Sequence, residues 1–142
     1  MGPEATAYFY EEVIRHTKAD CDQDHLDMTI LSHASMPDRT KAIQTGESRK
    51  LLQAMAEDIR IMEAVGAANL AIPCNTSHYF YDQIQEMTDI PIIHMPRETI
   101  RYAKSHYENV KRIGIMGDGR NGICRYLPER VRSVESRRLC RR

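Results

Sequence analysis

The sequence predicts an α/β fold, a parallel sheet with helices on both faces, and two observations carry that prediction. Apolar runs of strand length alternate with segments whose apolar residues recur every three or four positions. No Asn-Gly or Gly-Gly hairpin turn lies between these runs, so helical crossovers are expected to join the strands, which makes them parallel. At 142 residues, 42% apolar and 28% charged, the chain can bury one core, and its composition excludes collagenous, low-complexity and disulfide-knot classes.

Each element has its own signal. Phe9 and Val13, and Tyr10 and Ile14, stand four apart and predict a helix over 4–18 just after Pro3. Residues 26–33 are an apolar-rich run of strand length, followed by Met36-Pro37-Asp38-Arg39-Thr40, where Pro37 forces an extended or turned backbone. Over 46–65, Leu52, Met55, Ile59 and Met62 form a helix face, and Gly66 is placed to end it. Residues 67–72 read as a buried strand stopped by Pro73, and Phe80, Ile84 and Met87 mark the next helix, with Cys74-Asn75-Thr76-Ser77 at the junction. The alternation repeats with a strand over 91–94, a helix opened by Pro96 and a strand over 112–116. Ligands of such sheets bind beyond the C-terminal strand ends, which directs attention to the loops at 37–40, 74–78 and 116–119.

Charge divides the chain. Of 20 basic and 20 acidic side chains, 8 arginines and 3 acids fall in 117–142, leaving 12 and 17 in 1–116. The division expected is therefore an α/β unit over 1–116 and an Arg-rich tail over 117–142. Tyr126 is the tail's one aromatic residue and Pro128 interrupts any long helix there, which argues against a nucleic-acid partner. No run approaches the roughly 18 apolar residues of a membrane span, and no basic, apolar leader opens the sequence, so no membrane is expected and the location expected is cytoplasmic. The cysteines, at 21, 74, 124 and 140, make no CxxC pair, which argues against a zinc site.

Cys74 is the sharpest chemical feature. A thiol between a buried strand and the first turn of a helix faces the ligand rim and the positive end of the helix, both favouring thiolate; the alternative is an inert packed cysteine. Asn75, Thr76 and Ser77 bring short polar side chains and exposed N–H groups that suit a carboxylate or phosphate, or simply cap the helix. Arg39 at a strand-end loop can clamp a carboxylate through two parallel hydrogen bonds, or pair with Asp38. His78, four residues after Cys74, could form a Cys–His couple, bind a metal, or pack.

Met1-Gly2-Pro3-Glu4-Ala5-Thr6, Asp22-Gln23-Asp24-His25, the segment from Met36 through Ile43, and Pro73-Cys74-Asn75-Thr76-Ser77-His78 together resemble the aspartate/glutamate racemase family, most closely its aspartate racemase branch. The resemblance covers residues 1 to about 116. It implies a cofactor-independent racemase of two similar Rossmann-like α/β halves, commonly a homodimer, with an acidic amino acid between the halves. It matches Cys74 to one of two cysteines that face the substrate α-carbon, Arg39 to the loop arginine, Asn75, Thr76 and Ser77 to the carboxylate-holding segment, and Met1 to a substrate-contacting turn.

Three departures accompany the resemblance. Family members carry a strand and glycine-rich turn before Met-Gly-Pro, whereas Met1 is the first residue here. The second cysteine, followed by Thr-Glu in the family, has no match, since Cys124 precedes Arg-Tyr and Cys140 precedes Arg-Arg. After Met116 the family's glycine- and threonine-rich turn gives way to Gly117-Asp118-Gly119 and the arginine run. One incomplete half, truncated at both ends or frame-shifted near 117, is the expectation, with a non-catalytic carboxylate-binding module as the alternative function.

Overall fold

The computed structural model describes residues 2–107. Met1, the expected strand over 112–116, the loop at 116–119, Cys124, Cys140 and the Arg-rich tail lie outside the described residues. Within them the chain is mixed α/β, with five α-helices and one parallel pair of strands.

Helix α1 (Pro3–His16) begins where the sequence places it, because Pro3 needs no N–H partner in a first turn and brings a helical φ. Glu4 at its start and Arg15 and His16 at its end suit the helix dipole. None of its residues is buried, and Tyr8, Tyr10 and Ile14 stay exposed. Phe9 and Val13 are only partly buried, and a helix with so slight a packed face draws little stability from tertiary structure. Its amides are therefore expected to exchange with deuterium much faster than those in the centre of the long helix α3 described below; equal protection by mass spectrometry would overturn this account.

The run over 26–33 forms no strand. Among the described residues His33 C=O accepts from Met36 N–H at 3.4 Å at the end of this run, and residues 26–30 are exposed. Apolar composition suits a strand, but a strand exists only beside a partner backbone, and among the described residues none pairs with it. A side chain anchors its end instead: His33 Nδ1 donates to Asp58 Oδ1 at 2.9 Å.

The loop expected at 37–40 is the start of a helix. The Asp38 carboxylate accepts from Thr40 N–H at 2.8 Å and Lys41 N–H at 3.2 Å, capping α2 (Arg39–Thr45). Gly46 then takes φ 74°, which ends α2, so α3 starts at Arg49 and not at residue 46. Helix α3 (Arg49–Ala64) is closed near Gly66 at φ 73° and buries Leu51, Met55 and Ile59. Spacing predicts Met55 and Ile59, whereas Leu52 and Met62, the two ends of that series, lie at the partly buried margin.

Strands β1 (Leu70–Ala71) and β2 (Ile92–Ile93) pair in parallel, Leu70 opposite Ile92 and Ala71 opposite Ile93. They are shorter than the sequence suggests because Pro73 lacks a donor and, among the described residues, these two strands pair with no third. Leu70 and Ile92 point into the core while Ala71 and Ile93 point out. Between the strands, a 3₁₀ turn (Thr76–Phe80) runs into α4 (Tyr81–Gln85). Gln85 fixes the return: its amide donates to the carbonyls of Thr88 and Ile90, both at 3.1 Å, and its Oε1 accepts from Ile92 N–H at 2.9 Å. Helix α5 (Met95–His106) follows, capped by His94, whose Nδ1 accepts from Arg97 N–H at 3.2 Å.

Met36, Ala42, Leu51, Met55, Ile59, Leu70, Phe80, Ile84 and Ile92 form one apolar cluster. It joins α2, α3 and α4 to the sheet and thereby sets the end of β1 beside the start of α2. Among the described residues no helix is long and apolar enough to cross a membrane.

Candidate active site

Cys74 sits just past β1, where Cys74 N–H donates to Ile72 C=O at 2.7 Å in a tight turn. Pro73 stops the strand and the chain curls at once into the 3₁₀ turn, which leaves the thiol half-buried at the strand's C-terminal end. Ser77, completely buried, lies three residues on and presents both its hydroxyl and its N–H to the sulfur. Arg39, on the first turn of α2, brings its guanidinium to the same thiol. Burial pushes the Cys74 thiol up, but the Ser77 donors and the Arg39 charge outweigh it and hold the thiol below its ordinary range.

The cause differs from the one read in the sequence. A 3₁₀ turn of five residues leading into a five-residue helix supplies little axial dipole, so direct donors and one cation stabilise the thiolate. Arg39 is not paired with Asp38, whose carboxylate is engaged in capping α2. Besides the thiol, the guanidinium makes long contacts from Nη1 to the carbonyls of Met36 at 3.5 Å and Pro37 at 3.4 Å, and its buried Nε has no hydrogen-bond partner among the described residues. Arg39→Ala is expected to raise the pH midpoint of Cys74 alkylation by iodoacetamide and slow the reaction at neutral pH, since loss of a neighbouring cation disfavours thiolate. An unchanged midpoint would remove Arg39 from the thiol's environment.

The other residues singled out in the sequence divide in two. Asn75 is exposed and makes no side-chain cap, and Thr76 is half-buried; both follow Cys74 directly in the chain as the turn begins. Ser77 is directed at the sulfur. His78 is buried and forms no couple with the thiol: its Nδ1 lies 2.9 Å from Cys74 C=O and its Nε2 accepts from Met95 N–H at 3.1 Å. Cys21 lies in an exposed turn, its thiol donating to Asp24 Oδ2 at 3.4 Å. The support that Ser77 and His78 give Cys74 went unread in the sequence; their spacings of three and four from it, one helical turn, were the available signal.

Over residues 1–133 the chain matches the profile of the Asp/Glu/hydantoin racemase family. It belongs to that family. A curated relative, the broad specificity amino-acid racemase RacX of Bacillus subtilis (strain 168), is 31% identical over 105 residues, which is 71% of this chain and 45% of that protein. The chain thus spans less than half the length of that racemase. Family membership and the parallel α/β architecture agree with the resemblance carried by the four motifs, and within this racemase family the Cys74 turn and Arg39 form the natural candidate site.

Proposed function

We propose that this chain carries one half of the machinery of a cofactor-independent amino-acid racemase, an isomerase, in which the Cys74 thiolate removes the α-proton of an acidic amino acid. One observation supports this above all: a half-buried thiol at a strand end, held toward thiolate by Ser77 and Arg39. The α-hydrogen of an amino acid is very weakly acidic, so its removal needs a desolvated base and donors that receive the charge developing on the carboxylate. Cys74 is the base. Arg39, Asn75 and Thr76 hold the carboxylate, while Ser77, buried against the sulfur, serves the thiol. The C–H pair of electrons passes into the carboxylate-stabilised carbanion and the proton passes to sulfur.

Return of that proton to the same face restores the starting enantiomer; inversion needs a second acid on the opposite face. Among the described residues Cys21 is bound to Asp24 in an exposed turn, so the second acid is assigned to no described thiol. The expected activity is exchange of the α-hydrogen of one enantiomer with solvent deuterium, with little inversion. Incubation of both enantiomers of aspartate, glutamate and alanine in deuterated buffer, followed by mass and chiral analysis, tests this. Deuteration of aspartate or glutamate supports the acidic substrate, and deuteration of alanine to the same extent moves the reading to broad specificity. Binding without any exchange favours the second reading, a carboxylate-binding module, for which the Arg39 Nε, without a hydrogen-bond partner among the described residues, speaks. Robust inversion points to an acid outside the described residues, with Cys124→Ser the first variant to make.

A further inference from the structure

His78 is 2% exposed and uses both ring nitrogens on backbone. Met95 N–H can only donate, so the Nε2 it meets at 3.1 Å carries no proton. The proton is then on Nδ1, which donates to Cys74 C=O at 2.9 Å. Ile93 C=O, 3.4 Å from the same Nε2, faces a bare nitrogen and accepts nothing from it. The ring lies parallel to Tyr81, with centroids 6.4 Å apart, and 5.3 Å from the His94 ring; Tyr81 is itself tied to β2 by its hydroxyl, which donates to Ile92 C=O at 3.2 Å. One neutral imidazole thus bridges the Cys74 carbonyl and the first turn of α5, and its neighbours leave it little room to turn.

We propose that His78 is a positioning residue for the Cys74 thiol, acting through the Cys74 carbonyl. The direction of that carbonyl sets the peptide plane between Cys74 and Asn75, and with it how the Cys74 side chain meets the Ser77 hydroxyl and N–H and the Arg39 guanidinium. Without the Nδ1 bond the plane is free to rotate and the sulfur loses alignment with its donors. The same ring ties the turn to α5 through Met95 N–H, so the thiol's setting is referenced to the second strand and its helix as well as to β1. This role rests on Cys74 being the reactive thiol, and its test reads thiol chemistry, which stands apart from turnover.

Two substitutions in the full 142-residue chain separate the two bonds. His78→Asn places an amide N–H where Nδ1 was and retains the Cys74 tie; His78→Gln places a carbonyl oxygen where Nε2 was and retains the Met95 tie alone. Alkylation of Cys74 by iodoacetamide is followed at its own tryptic peptide across about pH 5 to 9, which brackets a thiol lowered from its usual value, with each variant held well below its melting temperature. His78→Gln should raise the midpoint and slow alkylation at pH 7 by about threefold or more, since rate follows the thiolate fraction. His78→Asn should keep the midpoint near that of the parent chain even where its melting temperature falls. Equal midpoint shifts in both variants, or none in either, would overturn the role of His78. In the unsubstituted chain, ¹⁵N shifts of the His78 ring should report the Nδ1–H tautomer, and the Nε2–H tautomer would overturn it as well. A parent Cys74 with an ordinary thiol midpoint would sink the functional reading itself, whereas a low midpoint untouched by either substitution would sink the positioning role alone.

Discussion

Cys74→Ser is expected to abolish the α-hydrogen exchange proposed for this chain, whichever amino acid is offered. The substitution exchanges sulfur for oxygen and leaves the tight turn, the Ser77 donors and Arg39 in place, so the fold should survive with a stability change of about 1 kcal/mol or less. Chemistry should not survive. A serine hydroxyl is a far weaker acid than a thiol, and no described neighbour of residue 74 is placed to take its proton, because the His78 Nε2 is occupied by Met95 N–H and its Nδ1 faces a carbonyl. The loss should exceed roughly a thousandfold, the upper range for removal of a general base. Deuterium incorporation by mass spectrometry, beside a melting curve showing that the variant is folded, checks it. Exchange persisting at a tenth of the parent rate would mean that another group is the base.

Leu51→Ala should have the largest effect on stability of any single truncation on α3, about 2–5 kcal/mol. Leu51 is 1% exposed, and so is Ile84 on α4, the helix against which α3 packs. Truncation leaves a cavity between two elements that also hold the Cys74 turn, and against the total of about 5–15 kcal/mol typical of a domain it removes a large share. Leu52→Ala, at the margin of the same face, should have a clearly smaller effect, and Leu26→Ala, at a residue 66% exposed, should stay within about 0.5 kcal/mol. Urea unfolding of the three variants ranks them. A larger loss for Leu52 than for Leu51 would show that the face read from spacing, and not the one in the structure, carries the packing.

That pair of leucines shows how far periodicity reaches. Spacing identified a helix between Gly46 and Gly66, because a 3.6-residue repeat is written in the chain itself. It named Met55 and Ile59 correctly but took Leu52 for Leu51 as the buried leucine, and it set the start three residues early, because the break at Gly46 is a matter of its φ of 74°, to which a hydrophobic pattern is blind. The motifs were legible in the same way. Cys74, Asn75, Thr76 and Ser77 were placed correctly at the end of β1, since Pro73 and the apolar run before it mark that end locally. Their division of labour was not legible, because whether Ser77 faces a ligand or the sulfur depends on the turn being 3₁₀.

By itself the sequence determined what short-range interactions decide: helices where apolar residues repeat, stops at Pro73 and Gly66, a start at Pro3, parallel pairing through the absence of tight hairpins, and the family through four motifs in order. Tertiary structure alone decided whatever needs a second segment. Residues 26–33 have strand composition and form no strand because backbone hydrogen bonds require a neighbour and no described segment pairs with them. Arg39 reaches Cys74 only because the core seats α2 beside the end of β1, and that meeting of a cation with a thiol, which no local pattern encodes, turns a half-buried cysteine toward thiolate.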